Sequence, residues 1–184
     1  MLFAISVPFI IFQSIDLLNI DYVEKAISSV LDQTYKNVEL IVIDDGSTDD
    51  SIDFLDRLSK HLGFTFLAQE NAGICQTLNK GIMDFSSGEY ICILASDDYF
   101  HPEKIEKQVT ALQANPESEF SYTQAIEFDS DSSKEIRVFP VKDFSGRVLN
   151  KLAFRQPYAA GSIMFTRTLY DRVGGFDNNL KYED

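Results

Sequence analysis

The chain has 184 residues, of which 45% are apolar and 24% are charged, and its formal net charge at pH 7 is −13. Domains commonly run to roughly 100–200 residues, so this length and composition fit one domain with a sizeable core, and fifteen Phe with eight Tyr exclude a disordered chain. The strong negative charge excludes a nucleic-acid-binding protein, because such a protein needs a basic face to neutralise phosphates.

The cysteines and the N-terminus bear on location. Cys75 and Cys92 are too few and too poorly spaced for a zinc site or a disulfide framework, which predicts a reducing, cytoplasmic environment. The apolar run at 2–12 is too short to cross a membrane and lacks a basic start, so it is predicted to be a buried strand rather than a signal peptide. Association with the inner face of the membrane would therefore depend on segments outside these residues.

Apolar runs of strand length alternate with helical patterns up to about residue 115. In chain order, the predicted elements are a strand at 3–7, a helix at 21–32, a strand at 38–43, a helix from Thr48 or Asp49 to Lys60, a strand at 64–69, a helix at 73–85, a strand at 90–94 and a helix from Pro102 to Asn115. The runs at 38–43 and 90–94 are almost continuously apolar, which is typical of strands covered on both faces. This order predicts an α/β domain with a mostly parallel central sheet and helices on both faces.

The pattern changes after residue 115. Residues 120–128 and 136–141 predict strands around a polar, acidic loop, residues 162–165 predict a late strand, and Gly174-Gly175 predicts a turn. Because no repeat, low-complexity tract or linker divides the chain, we interpret 1–184 as a single domain. The chain ends at Glu183-Asp184 without a terminal helix or tail, and we expect it to be a truncated form.

An acidic pair follows the predicted strand at 38–43. In open parallel α/β sheets, ligands bind beyond the carboxyl ends of the strands. Asp44-Asp45 leads into Gly46-Ser47, where the glycine permits a tight turn and the serine can cap the next helix. One interpretation is that both carboxylates are simply solvated. The other is a ligand, because adjacent carboxylates after an apolar strand favour ribose hydroxyls, a base edge or a metal as a partner.

A second pair, Asp97-Asp98, follows the apolar run at 91–95. Hard cations such as Mg²⁺ take one or two carboxylates together with phosphate oxygens and water. A cation bound in this way lets an acidic protein bind an anionic diphosphate and neutralises it as a leaving group. One pair is a weak signal, but two pairs at the ends of different strands of one sheet indicate a site for a nucleotide and a metal.

The ordered set of motifs resembles family 2 glycosyltransferases over about residues 22–106 and 157–184. The matching motifs are the run at 22–35, the strand at 38–43 with Asp44-Asp45-Gly46-Ser47-Thr48-Asp49, Asn71-Ala72-Gly73, Leu78-Asn79-Lys80-Gly81, Ser96-Asp97-Asp98 with the helix after it, Gly161-Ser162, Val173-Gly174-Gly175-Phe176-Asp177 and Glu183-Asp184. Members of this family have the GT-A fold and transfer a sugar from a nucleotide-sugar to an acceptor hydroxyl with inversion at the anomeric carbon.

The resemblance also implies ligands and a division of the chain. Residues 1–115 would form the nucleotide-sugar-binding part and 116–184 the acceptor-side part. The donor would be a UDP-sugar, the cofactor Mg²⁺ or Mn²⁺, and the acceptor a saccharide or a lipid-linked molecule in polysaccharide, cell-wall or glycoconjugate synthesis.

Roles for single residues follow from the same resemblance. The implied nucleotide-sugar-binding residues are Asp44, Asp45, Gly46, Ser47, Asn71 and Asp97, the implied metal ligands are Asp98 and Asp97, and the implied general base is Asp184. Displacement at the anomeric carbon needs a base on the acceptor side and a metal on the leaving side, which matches this set. Ala95 stands where the family's metal motif often begins with Asp, so the division of labour between Asp97 and Asp98 stays open.

Alternatives remain for several neighbouring residues. His101 is either a metal ligand or, as we favour, an exposed residue at a helix start. Arg155 and Arg167 suit a diphosphate geometrically but equally suit the surface. Tyr158 is a candidate for stacking on a sugar. For the whole chain, the alternative is a non-catalytic module that binds a nucleotide-sugar or carbohydrate.

Overall fold

The computed structural model describes residues 7–13, 20–129, 132, 134–139, 145–146 and 158–180. The strands and helices within these residues are β1 (Val7–Gln13), α1 (Ile20–Leu31), β2 (Val38–Asp45), α2 (Ser51–Leu62), β3 (Thr65–Gln69), α3 (Ile74–Lys80), β4 (Tyr90–Ala95), α4 (Lys104–Ala114), β5 (Phe120–Tyr122), β6 (Ala125–Phe128), β7 (Glu135–Phe139), β8 (Ile163–Thr166) and α5 (Arg167–Val173). A π-helical turn at Gly81–Phe85 extends α3, and a 3₁₀ turn at Ala160–Ser162 precedes β8.

A six-stranded sheet has the order β3-β2-β1-β4-β8-β5, and β6 and β7 form a separate two-stranded sheet. The strands β3, β2, β1 and β4 pair in parallel, whereas β8 pairs antiparallel with both β4 and β5. The chain moves outwards from β1 to β2 and β3 and then crosses to β4 on the other side of β1. The predicted α/β fold with a mostly parallel sheet is therefore confirmed, and the strand order reverses between β1 and β4.

The helices cover both faces of the sheet, as predicted. Successive residues of β2 point to opposite faces, because side chains alternate along a strand. Leu40 and Val42 pack with residues of α1, α2 and α4, whereas Ile41 and Ile43 pack with residues of α3 and α5. All four are at most 5% exposed. Burial on both faces explains the continuous apolar run, since each such side chain contributes about 1.5–3 kcal/mol when buried.

The structure differs from the predicted elements in three places. The first described strand is Val7–Gln13, which runs past the predicted end at residue 7 because it pairs with β2 as far as Gln13, and residues 3–6 of the prediction lie outside the described residues. The predicted strand at 120–128 is two strands in different sheets, and it breaks where the Thr123 backbone N–H donates to the Ser162 carbonyl. Helix α5 was not predicted, although Thr166 caps its start and Gly174 ends it.

Two further observations concern the chain as a whole. Cys75 and Cys92 are both buried, and no disulfide joins them in the described residues. In the part of the chain that the structure describes, no helix combines the length and apolar character that crossing a membrane requires.

Candidate functional site

The two acidic pairs lie at one edge of the sheet, on either side of β1. Gln13 of β1 aligns with Asp44 of β2, and Phe12 aligns with Ala95 at the end of β4. Neighbouring strands are about 4.8 Å apart, so the backbones of the two acidic ends are about 10 Å apart. Because the strand order reverses between β1 and β4, this edge is the place where open α/β sheets bind their ligands.

Asp44 is fully buried, and its carboxylate binds its own loop. Oδ1 accepts hydrogen bonds from the backbone N–H groups of Gly46 (3.2 Å) and Ser47 (2.9 Å), and the Ser47 hydroxyl donates to Oδ2. Gly46 has a φ of 95°, which residues with a side chain rarely adopt. Asp44 therefore closes the turn after β2.

Helix α2 begins later than the sequence suggested. Its first residue is Ser51 and its N-cap is Asp50, whereas the prediction started the helix at Thr48 or Asp49. Asp49 still contributes, since its Oδ1 accepts a hydrogen bond from the Ser51 backbone N–H at 3.0 Å. The Ser47 hydroxyl donates to Asp44 and therefore belongs to the turn after β2 rather than to the start of α2.

Asp45 is also fully buried, and it connects β2 to the loop after β3. Oδ1 accepts from the Gln69 side chain (2.6 Å) and the Ala72 backbone N–H (2.9 Å), and Oδ2 accepts from the Gly73 backbone N–H (2.9 Å). Three donors compensate the cost of burying the carboxylate. The Gln69 side chain also accepts from the Lys80 ammonium at 2.8 Å, so the bonds extend to α3. Direct contact of Asp44 or Asp45 with a nucleotide stays a prediction.

The loops after β2 and β3 meet at an open cleft. A Cβ added to Gly46 would lie only 2.8 Å from the backbone nitrogen of Asn71, so the two loops touch here. The cleft has a volume of about 520 Å³ and is lined by Gly46, Ser47, Ile52, Ala68, Gln69, Glu70 and Asn71. The structure thus brings together three residues that the sequence assigned to the nucleotide, namely Gly46, Ser47 and Asn71.

Asp97 and Asp98 form the exposed turn after β4. The pKa of the Asp98 carboxyl is raised, mainly because neighbouring protein atoms displace its water and secondarily because Asp97 is negatively charged. Gly161, in the 3₁₀ turn before β8, lies opposite: a Cβ there would be 3.5 Å from Oδ2 of Asp98. The turn before β8 therefore approaches the second acidic pair at a residue that has no side chain to cover it.

These two carboxylates fit a hard divalent cation that a ligand helps to bind. No group of three or more His, Cys, Asp or Glu side chains is gathered for a metal anywhere in the described residues. Two adjacent carboxylates would instead share Mg²⁺ or Mn²⁺ with diphosphate oxygens and water. A cation would also offset the charge and lost hydration that raise the pKa of Asp98. His101 is exposed and its Nδ1 accepts from the Glu103 backbone N–H at 3.3 Å, in agreement with the helix-start alternative.

Sequence reasoning missed the residues that fix the loop after the second acidic pair. Three residues in and directly after the last turns of α1 bind this loop. They are Ser29 and Gln33, through their side chains, and Thr34, through its backbone N–H. The buried residues of α1 are all apolar, namely Val23, Ala26, Ile27 and Val30. Gln33 continues their spacing just after the helix and is fully buried although it is polar. A polar side chain that continues an apolar helix face was the signal that could have found it.

The motif around Asn79 contacts the motif around Gly175 on one face of the sheet. Asn79 Oδ1 accepts from the Tyr170 hydroxyl (2.6 Å) and the Phe176 backbone N–H (2.9 Å), and its Nδ2 donates to the Phe176 carbonyl (2.8 Å). Gly175 has a φ of 80°, and a Cβ there would be 2.9 Å from Asn79 Oδ1. Asn79 therefore fixes the Gly174-Gly175-Phe176 turn to α3.

The remaining candidates are placed elsewhere. Arg167 donates to the carbonyls of Ile82, Ser86 and Gly88. It follows Thr166, which pairs with Tyr90 at the start of β4, so Arg167 lies at the edge of the sheet opposite the acidic pairs. The half-buried Tyr158 ring stacks on Tyr122 with centroids 5.6 Å apart. Asp184 and Arg155, the predicted base and a predicted diphosphate partner, lie outside the described residues.

Comparisons with known proteins agree with this architecture. The family model described as "Glycosyl transferase family 2" matches residues 17–173. An uncharacterized glycosyltransferase of Rickettsia felis is 35% identical over 151 residues, which are 82% of this chain and 25% of that protein. The crystal structure of S. aureus TarS has a TM-score of 0.71 and 19% identity over 97% of this chain and 32% of that one.

A second solved structure has a similar fold. It is the mannosyltransferase PcManGT from Pyrobaculum calidifontis, with a TM-score of 0.68 and 18% identity over 97% of this chain and 49% of that one. The chain thus spans about a quarter of the length of the Rickettsia felis protein and about a third to a half of the two solved chains. Its fold is the GT-A fold of these structures. With the family model matched over most of its length, the chain belongs to glycosyltransferase family 2.

Proposed function

We propose that this chain carries the donor-binding and catalytic region of an inverting, nucleotide-sugar-dependent glycosyltransferase. The observation that carries the proposal is the meeting of two acidic strand ends at the edge where the sheet order reverses, beside an open cleft of about 520 Å³. Family membership supports sugar transfer. TarS solved with UDP and with UDP-GlcNAc, and PcManGT solved with GDP-Man and Mn²⁺, support a nucleotide-sugar as the donor.

In this proposal the first acidic end and its cleft bind the nucleoside of a UDP-sugar. Gly46, Ser47 and the exposed Asn71 line the cleft and offer backbone and amide groups to a base or ribose. Asp44 and Asp45 shape the cleft through their hydrogen bonds to its loops. Both carboxylates are fully buried, so direct acceptance from a ribose hydroxyl or a base N–H would require the surrounding loops to open when the nucleotide binds.

The second acidic end binds the diphosphate together with Mg²⁺ or Mn²⁺. When bound, the cation would neutralise the charge that develops on the diphosphate as it leaves. We assign Asp98 as the first ligand, because its Oδ2 lies beside Gly161, which has no side chain to cover it. Asp97 is the second ligand or a partner of the ribose.

Asp184 is proposed as the general base that removes the proton of the acceptor hydroxyl, which allows that oxygen to attack the anomeric carbon. The acceptor is proposed to be a saccharide or a lipid-linked molecule in polysaccharide, cell-wall or glycoconjugate synthesis. A cytoplasmic location, with the inner membrane face reached only through other segments, stays a prediction. The alternative is a non-catalytic nucleotide-sugar or carbohydrate-binding module, which would bind the donor but neither hydrolyse nor transfer it.

Thermal unfolding with UDP, GDP or TDP tests the donor site. A ligand at about 100 times its Kd stabilises the folded state by about 2.7 kcal/mol. For a domain of this size, that raises Tm by roughly 5–10 °C. We expect UDP with Mg²⁺ or Mn²⁺ to give such a shift, and EDTA to remove most of it. If no nucleotide raises Tm in the presence of either metal, the proposal is wrong.

Substitution of the acidic turn tests the metal assignment. Asp98→Asn should remove the metal-dependent part of UDP binding in calorimetry, and Asp97→Asn should weaken it less. In EDTA the Tm of Asp98→Asn should not fall, because the change removes a charge that its neighbours disfavour. Unchanged metal-dependent binding in both variants would contradict the assignment.

A further inference from the structure

The loop after the second acidic pair is fixed by a single buried amide that follows α1. Gln33 has no exposed surface. Its Nε2 donates to the carbonyls of Ser29 and His101, both at 2.9 Å, and its Oε1 accepts from the Ile105 backbone N–H at 3.1 Å. Both donor protons and the acceptor oxygen are therefore used. Two of the three bonds go to residues about seventy positions further along the chain.

Neighbours of Gln33 bind the same loop. The Ser29 hydroxyl accepts from the Phe100 backbone N–H at 3.1 Å, and the Thr34 backbone N–H donates to the Pro102 carbonyl at 2.9 Å. Successive backbone groups of the loop at 100–102 thus bond to the end of α1. This concentration of bonds fixes the path of the loop rather than one point on it.

Gln33 also completes the start of α4. The first N–H groups of a helix have no partner within it and need one from outside. The N-cap residue of α4, Glu103, makes no side-chain cap bond, whereas Gln33 accepts from Ile105, the second residue of the helix. The acidic turn therefore lies between two fixed ends, the sheet at Ala95 and the α1 contact beginning at Phe100.

We propose that Gln33 is a positioning residue for the metal-binding half of the donor site, an inference that rests on the proposed function. It fixes the loop that follows Asp97-Asp98, so that both carboxylates present themselves to one cation together with a nucleoside diphosphate. An apolar side chain would fill the same space on this helix face. The buried amide adds three directed bonds, of which one ends on this loop at His101 and another on the start of α4 at Ile105.

The test compares two variants of the full chain that each lose long-range bonds to backbone carbonyls. Gln33→Met keeps the length of the side chain but removes its hydrogen bonds. Arg167→Met, the control, removes the bonds to Ile82, Ser86 and Gly88 at the opposite edge of the sheet. For each variant, the Kd of UDP is measured by calorimetry once with saturating Mg²⁺ and once with EDTA. The Kd in EDTA divided by the Kd in Mg²⁺ gives the contribution of the metal to UDP affinity.

We expect the contribution of the metal to UDP affinity to be about 10- to 100-fold smaller in Gln33→Met than in the unchanged chain, the range typical of residues that orient metal ligands. Metal-free UDP affinity should stay close to that of the unchanged chain. Arg167→Met should lower Tm but keep the contribution of the metal. Equal losses in the two variants, or an equal loss with and without metal in Gln33→Met, would show a general structural effect and overturn the proposal.

Two further measurements keep the inference testable. If Gln33→Met does not fold, Thr34→Ala removes the Thr34 hydroxyl bonds to Pro102 and Glu106 and should reduce the metal contribution in the same direction. If the unchanged chain binds none of UDP, GDP and TDP with either Mg²⁺ or Mn²⁺, the proposed function fails by itself. Hydrogen exchange then decides: Gln33→Met should speed exchange of the Asp98, Phe100 and Ile105 amides and Arg167→Met should not, and equal exchange overturns the positioning role.

Discussion

Asp44 and Asp45 are adjacent in the chain, yet their carboxylates serve different loops. Asp44 bonds within the turn that it begins, and Asp45 bonds to the loop after the neighbouring strand. Side chains of consecutive strand residues point to opposite faces, which separates the two buried charges. N–H or O–H donors surround each carboxylate, so a substitution of either residue should affect the loop that its own carboxylate binds.

Replacement of Asp45 by Asn tests its structural role. One carboxylate oxygen becomes an NH₂ group that faces the backbone N–H donors of Ala72 or Gly73. We expect a loss of about 2–3 kcal/mol in the free energy of unfolding, because hydrogen bonds to a charged group are lost and a buried donor is left unpaired. Urea unfolding measures this change. The exposed Asp53 in the first turn of α2 is the control, and Asp53→Asn should stay within about 0.5 kcal/mol.

At the scale of elements, hydrophobic periodicity located most strands and helices but missed the boundaries that depend on tertiary contacts. The strand at 38–43 and the helix at 21–32 were predicted to within a few residues, because burial on both faces or on one face leaves a clear pattern. The extension of β1 to Gln13 and the division between β5 and β6 depend on partners elsewhere in the chain. Local sequence carries no signal for such pairing.

The candidate site shows the same division. The acidic pairs and the glycine turn were visible in the sequence, because charges after apolar strands have few structural explanations. The contacts of Gln33 and Asn79 were not visible, since each amide bonds to a segment more than sixty residues away. The resemblance to a family marked both motifs, and the structure supplies the physical reason that their residues occur together.

The turn that follows α5 gives a prediction at this scale. Gly175→Ala places a Cβ 2.9 Å from both Asn79 Oδ1 and the Tyr170 hydroxyl, at a positive φ. Gly174→Ala is the matched control, because it also has a positive φ but its Cβ would meet nothing within 4 Å. We expect Gly174→Ala to cost about 1–2 kcal/mol from backbone strain alone. Gly175→Ala should cost clearly more in chemical unfolding, and equal costs would contradict the fixed turn.

At the scale of the molecule, the predicted donor-binding and acceptor-side parts share one sheet in the described residues. Strands β5 and β8 come from the second part and extend the sheet beside β4 of the first. The contact of Asn79 with the Phe176 turn joins the parts again on one face of this sheet. The division at residue 115 stays a prediction about function, since β4 of the first part and β8 of the second are hydrogen-bonded neighbours.

Such sharing predicts one cooperative unfolding transition. The far-UV circular dichroism signal of the backbone and the near-UV signal of the tyrosines should change at the same temperature. Tyr158, Tyr122 and Tyr170 report on the second part. Two separate transitions would show that the parts unfold independently in spite of their common sheet.

The bare backbone at Gly161 makes the affinity for a cation adjustable by one side chain. Its Cβ position lies 3.5 Å from Asp98 Oδ2, an ordinary contact distance, so a small side chain can enter without strain. Gly161→Asp would add a third carboxylate beside the first two, and hard cations bind more tightly as oxygen ligands are added. We expect this variant to bind Mn²⁺ without any nucleotide, as measured by electron paramagnetic resonance, whereas Gly161→Ala should not. Under the proposed function, the cation of such a variant would stay bound without the diphosphate, and release of the nucleoside diphosphate product would slow.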